Sequence, residues 1–300
     1  ISVLIWDSWI MEIGYFPKDW QFTIRKPIDN AIDSLIVNPY FYGFTKGLKE
    51  FIFFYILNPL EVFLIGLPWL FVLGAFFVIS FYSAGMIFAI IAVCLLFFTG
   101  LSGVWELTMQ TLAAIVASVV VCVVIGLPLG ILAAYNKTVD NVVRPILDTM
   151  QTMPAFVYLI PVLYFFGGNR VTAVIATVIY ALPPMVRMTN LGLRELPKQI
   201  NEVSDSFGST EIQSLIKVKL PMASPSIMLG VNQAVIMALA MQVITPLIAG
   251  AGLGKEVFRA METADTGRGL IAGIGIVLLA ILLDRLTQAW TVNQRKALGL

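Results

Sequence analysis

The sequence predicts an all-α integral membrane protein with about seven transmembrane helices, preceded by amphipathic amino-terminal helices. Hydrophobic residues make up 59% of the 300 positions and charged residues 12%, with a mean hydropathy of +0.89. A soluble domain holds roughly 45–50% apolar residues. Apolar runs recur at 60–82, 84–100, 106–135, 146–166, 170–190, 224–250 and 269–290. Most are near the ~20 residues that cross hydrocarbon. Between the fifth and sixth runs, residues 191–221 keep polar side chains too frequent for lipid.

The composition also excludes function classes. A net charge of +1 offers no basic face for nucleic acid. Histidine is absent, which removes the commonest catalytic base and metal ligand; no catalytic or metal-binding residue is assigned. Cys94 and Cys122 lie inside apolar runs, where neither a disulfide framework nor a zinc site is indicated.

Taken in order, residues 1–58 form a mixed segment. The opening ISVLIWDSWIMEIGYF begins at Ile1 and lacks the basic start and apolar core of a signal peptide; residues upstream of Ile1 are left open. Trp6, Trp9, Ile10 and Ile13 make one helical stripe, and Ile28, Ile32, Leu35 and Ile36 another. The expectation is interfacial helices, with a small cap on the outer surface as the alternative. Asn38-Pro39 and Asn58-Pro59 punctuate the region, leaving a further piece at 48–57. In the spans that follow, Pro128 is expected to loosen the third, and Pro154 with Pro161 the fourth, because each removes a backbone donor. The pairs Gly126/Gly130 and Gly269/Gly273 have the small-xxx-small spacing of close helix packing.

Within the polar stretch, Glu202, Val203, Phe207, Ile212, Leu215 and Ile216 give two short faces separated at Gly208. A glycine there permits a turn or the close approach of a partner. Such a helix-turn-helix reads either as a docking surface for another protein's groove or as a connecting loop. If it is cytoplasmic, the inner ends and loops hold Lys137, Arg144, Arg187, Arg194, Lys198, Lys217, Lys219, Arg285, Arg295 and Lys296. The outer loops after the first span then hold Arg170, Lys255, Arg259 and Arg268. That bias agrees with the positive-inside rule, placing the amino terminus outside and the carboxy terminus in the cytoplasm.

The spacing Glu202-Val203-Ser204, three residues, Gly208, nine residues, then Val218-Lys219-Leu220-Pro221 resembles the EAA signature of ABC importer permeases. Val203 and Ser204 stand for its two alanines and Val218 for its isoleucine. RPILDTMQTMPAFVYLIPVLYFFG, ALPPMVRMTNLG, GVNQAVIMALAMQVI and ILLDRLTQA are similar to permease subunits of the glycine betaine/proline, or quaternary-amine, branch. The resemblance implies a type I ABC importer permease fold, with peripheral spans at 59–104, a core at 105–290, a coupling hairpin at 191–221 and a cytoplasmic tail at 291–300. It also implies an inner-membrane location and ATPase coupling through Glu202, Val203, Ser204, Phe207, Gly208, Leu220 and Pro221. The implied partners are a second copy of the permease, ABC ATPase subunits carrying ATP-Mg, an extracytoplasmic substrate-binding protein and membrane lipid. No cofactor is expected on this chain. Betaine, choline, proline betaine and carnitine all fit as solutes.

GAGLGKE at 250–256 fails the phosphate-loop pattern, since Gly250 is one residue too close to Gly254-Lys255 and Glu256 stands where Ser or Thr is required. It reads as an outer glycine-rich turn. Glu61, Glu106, Asp148, Arg187, Asp284 and Arg285 all fall near predicted span ends, whereas ion-driven carriers more often hold ionisable groups at mid-depth. An external energy source is favoured over the alternatives, a secondary transporter or a channel without an ATPase partner. Polar and soft side chains at mid-span, Gln151, Thr152, Tyr158, Asn232 and Gln233 with Met150, Met153, Met237 and Met241, suit a weakly binding path for a methylated ammonium, because aromatic faces attract cations. Packing is the competing reading, methionine being a common core filler.

Overall fold

The computed structural model describes residues 24–297, except the side chains at 201, 203, 205, 293 and 295–297. The stripe of Trp6, Trp9, Ile10 and Ile13 lies outside the described residues. Chain contacts separate two compact units, residues 1–47 and 48–300. In the first, helix α1 (Arg25–Val37) carries the stripe of Ile28, Ile32, Leu35 and Ile36, and no residue of it is buried. Asn38 ends α1 and starts α2 (Pro39–Ile52), its side-chain oxygen accepting from the Tyr40 and Phe41 amides. Short polar side chains satisfy first-turn donors in this way.

From residue 48 the chain is helical throughout its ordered elements. A π turn, Phe53–Leu57, runs straight into α3 (Asn58–Gly66), so Asn58-Pro59 interrupts nothing. The break falls at Leu67-Pro68 instead, where the chain turns by 106° into α4 (Trp69–Ala84). The predicted span 60–82 is therefore a bent pair. Helix α5 (Met86–Leu101) pairs with α4, and Leu70, Phe71, Ile79, Ile87 and Ile90 are left exposed on them, an outer surface suited to lipid.

Helix α6 (Trp105–Tyr135) runs unbroken through Pro128, against the expectation of loosening there. Asn136 caps α7 (Lys137–Thr152) by accepting from the Thr138 and Val139 amides. At Met153-Pro154 the chain turns by 106° into α8 (Ala155–Phe166), which continues through Pro161. The predicted span 146–166 is thus an elbow, with Pro154 as its corner. Asn169 caps α9 (Arg170–Arg194). After α10 (Lys198–Ser206) and α11 (Glu211–Ser214), a π turn at Leu215–Lys219 leads into α12 (Leu220–Gln242). A short 3₁₀ turn (Thr245–Ile248), α13 (Leu253–Thr263) and α14 (Thr266–Ala297) follow. The predicted run 224–250 is corrected at both ends, since its helix begins in the polar hairpin and stops at Gln242.

Among the described residues, four helical stretches are long and apolar enough to cross a membrane: Trp105–Tyr135, Arg170–Arg194, Glu211–Gln242 and Thr266–Val292. The two bent pairs raise the number to six, and α5 is a shorter apolar helix beside them.

The centre of this unit is α9, packed between α6 and α12. Small residues set both seams. A side chain at Gly130 would meet the Thr189 side chain at 2.5 Å and the Val186 carbonyl at 2.8 Å, and one at Gly230 would meet Met188 at 2.9 Å and the Pro184 carbonyl at 3.2 Å. Gly126 is closed by Met185 in the same way, so its pair with Gly130 does pack helix on helix. In the pair Gly269/Gly273, Gly269 faces Ala260 at 3.1 Å and Gly273 has open space. Three apolar clusters fill the unit. One joins α6, α8, α9 and α12, a second joins α6 and α12 to α13 and α14, and a third binds α4 and α5 to α6 and α14.

Candidate functional site

The polar stretch between the central spans folds as a hairpin with unequal arms. Its first arm, α10, is separated from α9 by the non-helical residues 195–197. Its second arm has no such break, because α11, the π turn and α12 form one helical stretch, Glu211–Gln242. Thr210 starts that stretch with a capping box, in which its hydroxyl accepts from the Gln213 amide and the Gln213 side chain accepts from the Thr210 amide. The T-x-x-Q spacing is a start signal for helices legible in the sequence.

Residues 207–210 make the turn. Gly208 has φ +69°, a left-handed conformation that costs other residues about 1–2 kcal/mol. Ser204 is buried, and its carbonyl accepts from the Ser209 amide at 3.3 Å and the Ser209 hydroxyl at 2.6 Å. Ser204 and Gly208 are thus the brace and the pivot of one turn. Among the described residues, no heavy atom would lie within 4 Å of a Cβ added at Gly208. Phe207 is 86%, Ile212 70% and Ile216 58% exposed. Large apolar side chains in such a group mark an interaction surface. Glu202 is exposed, Leu220 half-buried and Pro221 exposed at the start of α12; Val203 lies in α10 and its side chain is among those not described. At the base of the second arm, the Lys219 ammonium sits 5.2 Å from the centre of the Tyr135 ring, a cation–π contact that ties the hairpin to the end of α6.

The mid-span candidates separate into several places. Tyr158 is buried on α8, edge-on to Tyr180 at 6.1 Å, with a hydroxyl that finds no hydrogen-bond partner among the described residues. Met241 is fully buried, and with the half-buried Met237 it joins the cluster of α8, α9 and α12. Asn232 is buried and accepts from the Thr287 hydroxyl of α14, the helix-to-helix role that competes with path lining. Gln233, one position on, is half-buried. Met153 is the residue before the Pro154 corner and is half-buried; Gln151 and Thr152 are exposed at the end of α7, and Met150 is half-buried. The structure thus groups Tyr158, Met237 and Met241 around the cluster of α8, α9 and α12, and holds Asn232 on another face of α12.

Ion pairs tie distant segments together, which sequence spacing did not reveal. Glu61 of α3 is buried and pairs with Arg170, the first residue of α9. Asp148 pairs with Arg187, and Asp140 receives Arg144 and Arg194. The glycine-rich turn at 250–256 packs instead of cradling an anion. Thr111 accepts from the Leu253 amide at 2.8 Å, and a side chain at Gly254 would lie 1.8 Å from the Gln242 carbonyl.

Among the described residues the chain is all-helical, with four to six candidate spans and a polar hairpin tipped by exposed apolar side chains, the make-up of an integral membrane protein. Residues 126–292 match the family described as "Binding-protein-dependent transport system inner membrane component", and the chain belongs to it. It is a multi-pass permease component of an ABC-type import system, working with binding-protein and ATPase partners, and is not itself an enzyme. The chain is 44% identical over 283 residues to the Escherichia coli (strain K12) glycine betaine/proline betaine transport system permease protein ProW, covering 94% of this chain and 74% of the relative. It is 47% identical over 193 residues to the Bacillus subtilis (strain 168) glycine betaine transport system permease protein OpuAB, 64% of this chain and 68% of the relative. With the trimethylamine N-oxide transport system permease protein TmoV of Ruegeria pomeroyi it shares 31% identity over 295 residues, 97% of this chain and 44% of the relative. Among solved structures, an inward-facing MetNI methionine ABC transporter is similar with a TM-score of 0.58 and 21% identity, covering 64% of this chain and 95% of that one, a likeness of fold.

Proposed function

We propose that this chain is the permease of an ATP-driven importer for a small methylated ammonium osmolyte. In this reading it works as a symmetric pair with two ATPase subunits that carry ATP-Mg, and a binding protein delivers the solute at the outer face. The observation that carries the coupling role is the hairpin turn, where the exposed Phe207, Ile212 and Ile216 flank Gly208 in open space. An amphipathic segment laid in a partner's groove couples two subunits mechanically. Glu202, Val203, Ser204, Phe207, Gly208, Leu220 and Pro221 are the coupling residues. The hairpin faces the cytoplasm, which puts the amino terminus outside and the carboxy terminus inside, in keeping with the distribution of Lys and Arg. Within the chain, 1–58 is the interfacial segment, 59–104 the peripheral spans, 105–290 the permease core and 291–300 the tail.

The solute class follows from the relatives, whose names cover glycine betaine, proline betaine and trimethylamine N-oxide. All are small, net-neutral and methylated at nitrogen. Tyr158, Met237 and Met241 supply the aromatic and soft surface that such a head group meets, with Gln151, Met153 and Gln233 as the accompanying path residues, while Asn232 is engaged with Thr287 on another face of α12. ATP closes the motor dimer, the docked hairpins follow, and the spans switch from inward to outward opening.

The deciding experiment is co-purification with the ATPase encoded beside this chain, followed by vesicle uptake of labelled glycine betaine with and without ATP. ATP-dependent accumulation is expected. Accumulation driven by an ion gradient alone would overturn the reading.

A further inference from the structure

The carboxylate of Asp140 gathers donors from two helices and, through one of them, reaches a third. It lies in the first turn of α7, where the positive end of the helix dipole favours a negative charge, and its side chain is 9% exposed. Arg144, one turn on, reaches it at 2.9 Å. From α9, fifty residues away, Asn190 donates its Nδ2 to it at 2.7 Å and Arg194 approaches at 3.1 Å. Arg194 also donates to the Ala133 carbonyl of α6 at 2.7 Å. One carboxylate therefore fastens the start of α7 to the end of α9, and Arg194 adds the end of α6.

Around this cluster α7 and α9 are not sealed by packing. Between them lies a cleft of about 350 Å³ with Val143, Leu147 and Leu191 in its walls. Further along it, Asp148 and Arg187 cross the cleft as a more exposed pair. Apolar surfaces can slide past one another, whereas charge-assisted hydrogen bonds fix direction and register. Arg194 is also the last residue of α9 before the hairpin, and α7 leads away to the Pro154 corner and Tyr158.

We infer that Asp140 is a positioning residue for transport: through Asn190 and Arg194 it makes the start of α7 follow the base of the coupling hairpin, so that displacement of the hairpin swings the α7–α8 elbow. This rests on the reading of the hairpin as the ATPase dock. Replacing Asp140 by Asn keeps the size and an acceptor oxygen but removes the charge that holds two guanidinium groups. The hairpin then still docks, while α7 no longer follows it faithfully.

The test uses the whole transporter in vesicles, with ATPase and binding protein, and glycine betaine as the probe. Hydrolysis without solute, hydrolysis with loaded binding protein and uptake are measured on the same preparation. In Asp140→Asn the solute-free hydrolysis is expected to be unchanged while solute imported per ATP falls about tenfold, within the range of ordinary coupling energies. A rescue follows from the geometry. In that variant, with Cys94→Ser, cysteines at Arg144→Cys and Arg194→Cys joined by a short bis-maleimide should restore the ratio, because they refasten α7 to α9. An unaltered ratio in Asp140→Asn, an equal loss of uptake, hydrolysis and recovered protein, or a bridged variant that stays uncoupled would each overturn the inference. Wild-type protein without ATP-dependent uptake would sink the importer reading and this one together, so the two failures are distinguishable.

Discussion

The hydroxyls of Ser204 and Ser209 lie 2.5 Å apart across the left-handed turn at Gly208. That short bridge closes the hairpin on itself and leaves Phe207 pointing away from the chain's own packing. The turn is thus shaped from inside, by two serines, and offered outward through an aromatic ring and a bare glycine.

Replacing Gly208 with Trp should abolish uptake while the permease still inserts and assembles. A Cβ at this position would meet no heavy atom of the described residues within 4 Å, and the left-handed backbone costs a non-glycine residue about 1–2 kcal/mol. ATP-dependent transport retained in this variant would refute the docking role.

Phe207→Ser with Ile212→Ser should weaken association with the ATPase without lowering thermal stability of the isolated permease. Both side chains are exposed, so nothing in the chain's core is lost. Pull-down of the ATPase, read beside the unfolding temperature, separates the two effects. Equal recovery of the ATPase would move the dock elsewhere.

Glu61→Gln should destabilise the protein by about 1.5–3 kcal/mol, the range for hydrogen bonds to charged groups. The buried carboxylate holds Arg170 at the first residue of α9, far from the hairpin in sequence. A lower melting temperature in detergent with unchanged ATPase recovery is the expected pattern.

Asn232→Leu and Thr287→Val should not be additive in stability, with an interaction near the ~0.6 kcal/mol average for hydrogen bonds between membrane helices. Gln233 has no such partner among the described residues, so Gln233→Leu reports on the path instead. A raised KM for uptake with normal stability would place Gln233 beside the solute, whereas unchanged uptake kinetics would assign it to packing.

Gly130→Val should destabilise the fold markedly. Its Cβ would press on the Thr189 side chain and the Val186 carbonyl, and a backbone atom cannot rotate aside. Overpacking typically costs about 1–3 kcal/mol, occasionally more, and monodispersity after extraction measures the loss.

Much of this was legible from the chain alone. Helices α6, α9 and α14 announce themselves because a helix that crosses hydrocarbon must be predominantly apolar over about 20 residues, and the hairpin because polar residues have no place there. The corners were not. Pro59, Pro128 and Pro161 sit in continuous helix while Pro68 and Pro154 mark 106° turns, since a proline breaks a helix only where tertiary packing rewards the new direction. Asp140 meeting Asn190 and Arg194 was equally hidden, for ion-pair partners fifty residues apart carry no local periodicity. Asn232 is visible in the sequence as a polar residue within an apolar run, but its bond to Thr287 appears only when α12 and α14 lie side by side.

The unbroken second arm of the hairpin sets a height. At about 1.5 Å per residue, the 32 residues of Glu211–Gln242 extend about 48 Å, against a hydrocarbon layer of about 30 Å. Roughly 18 Å of stiff rod is therefore left over beyond the oil, more than the few ångströms taken up by the head groups on one side. A protein seated on Phe207 and Ile212 would stand clear of the lipid surface, and a shift of its position would arrive at the bilayer as the tilt of a mast.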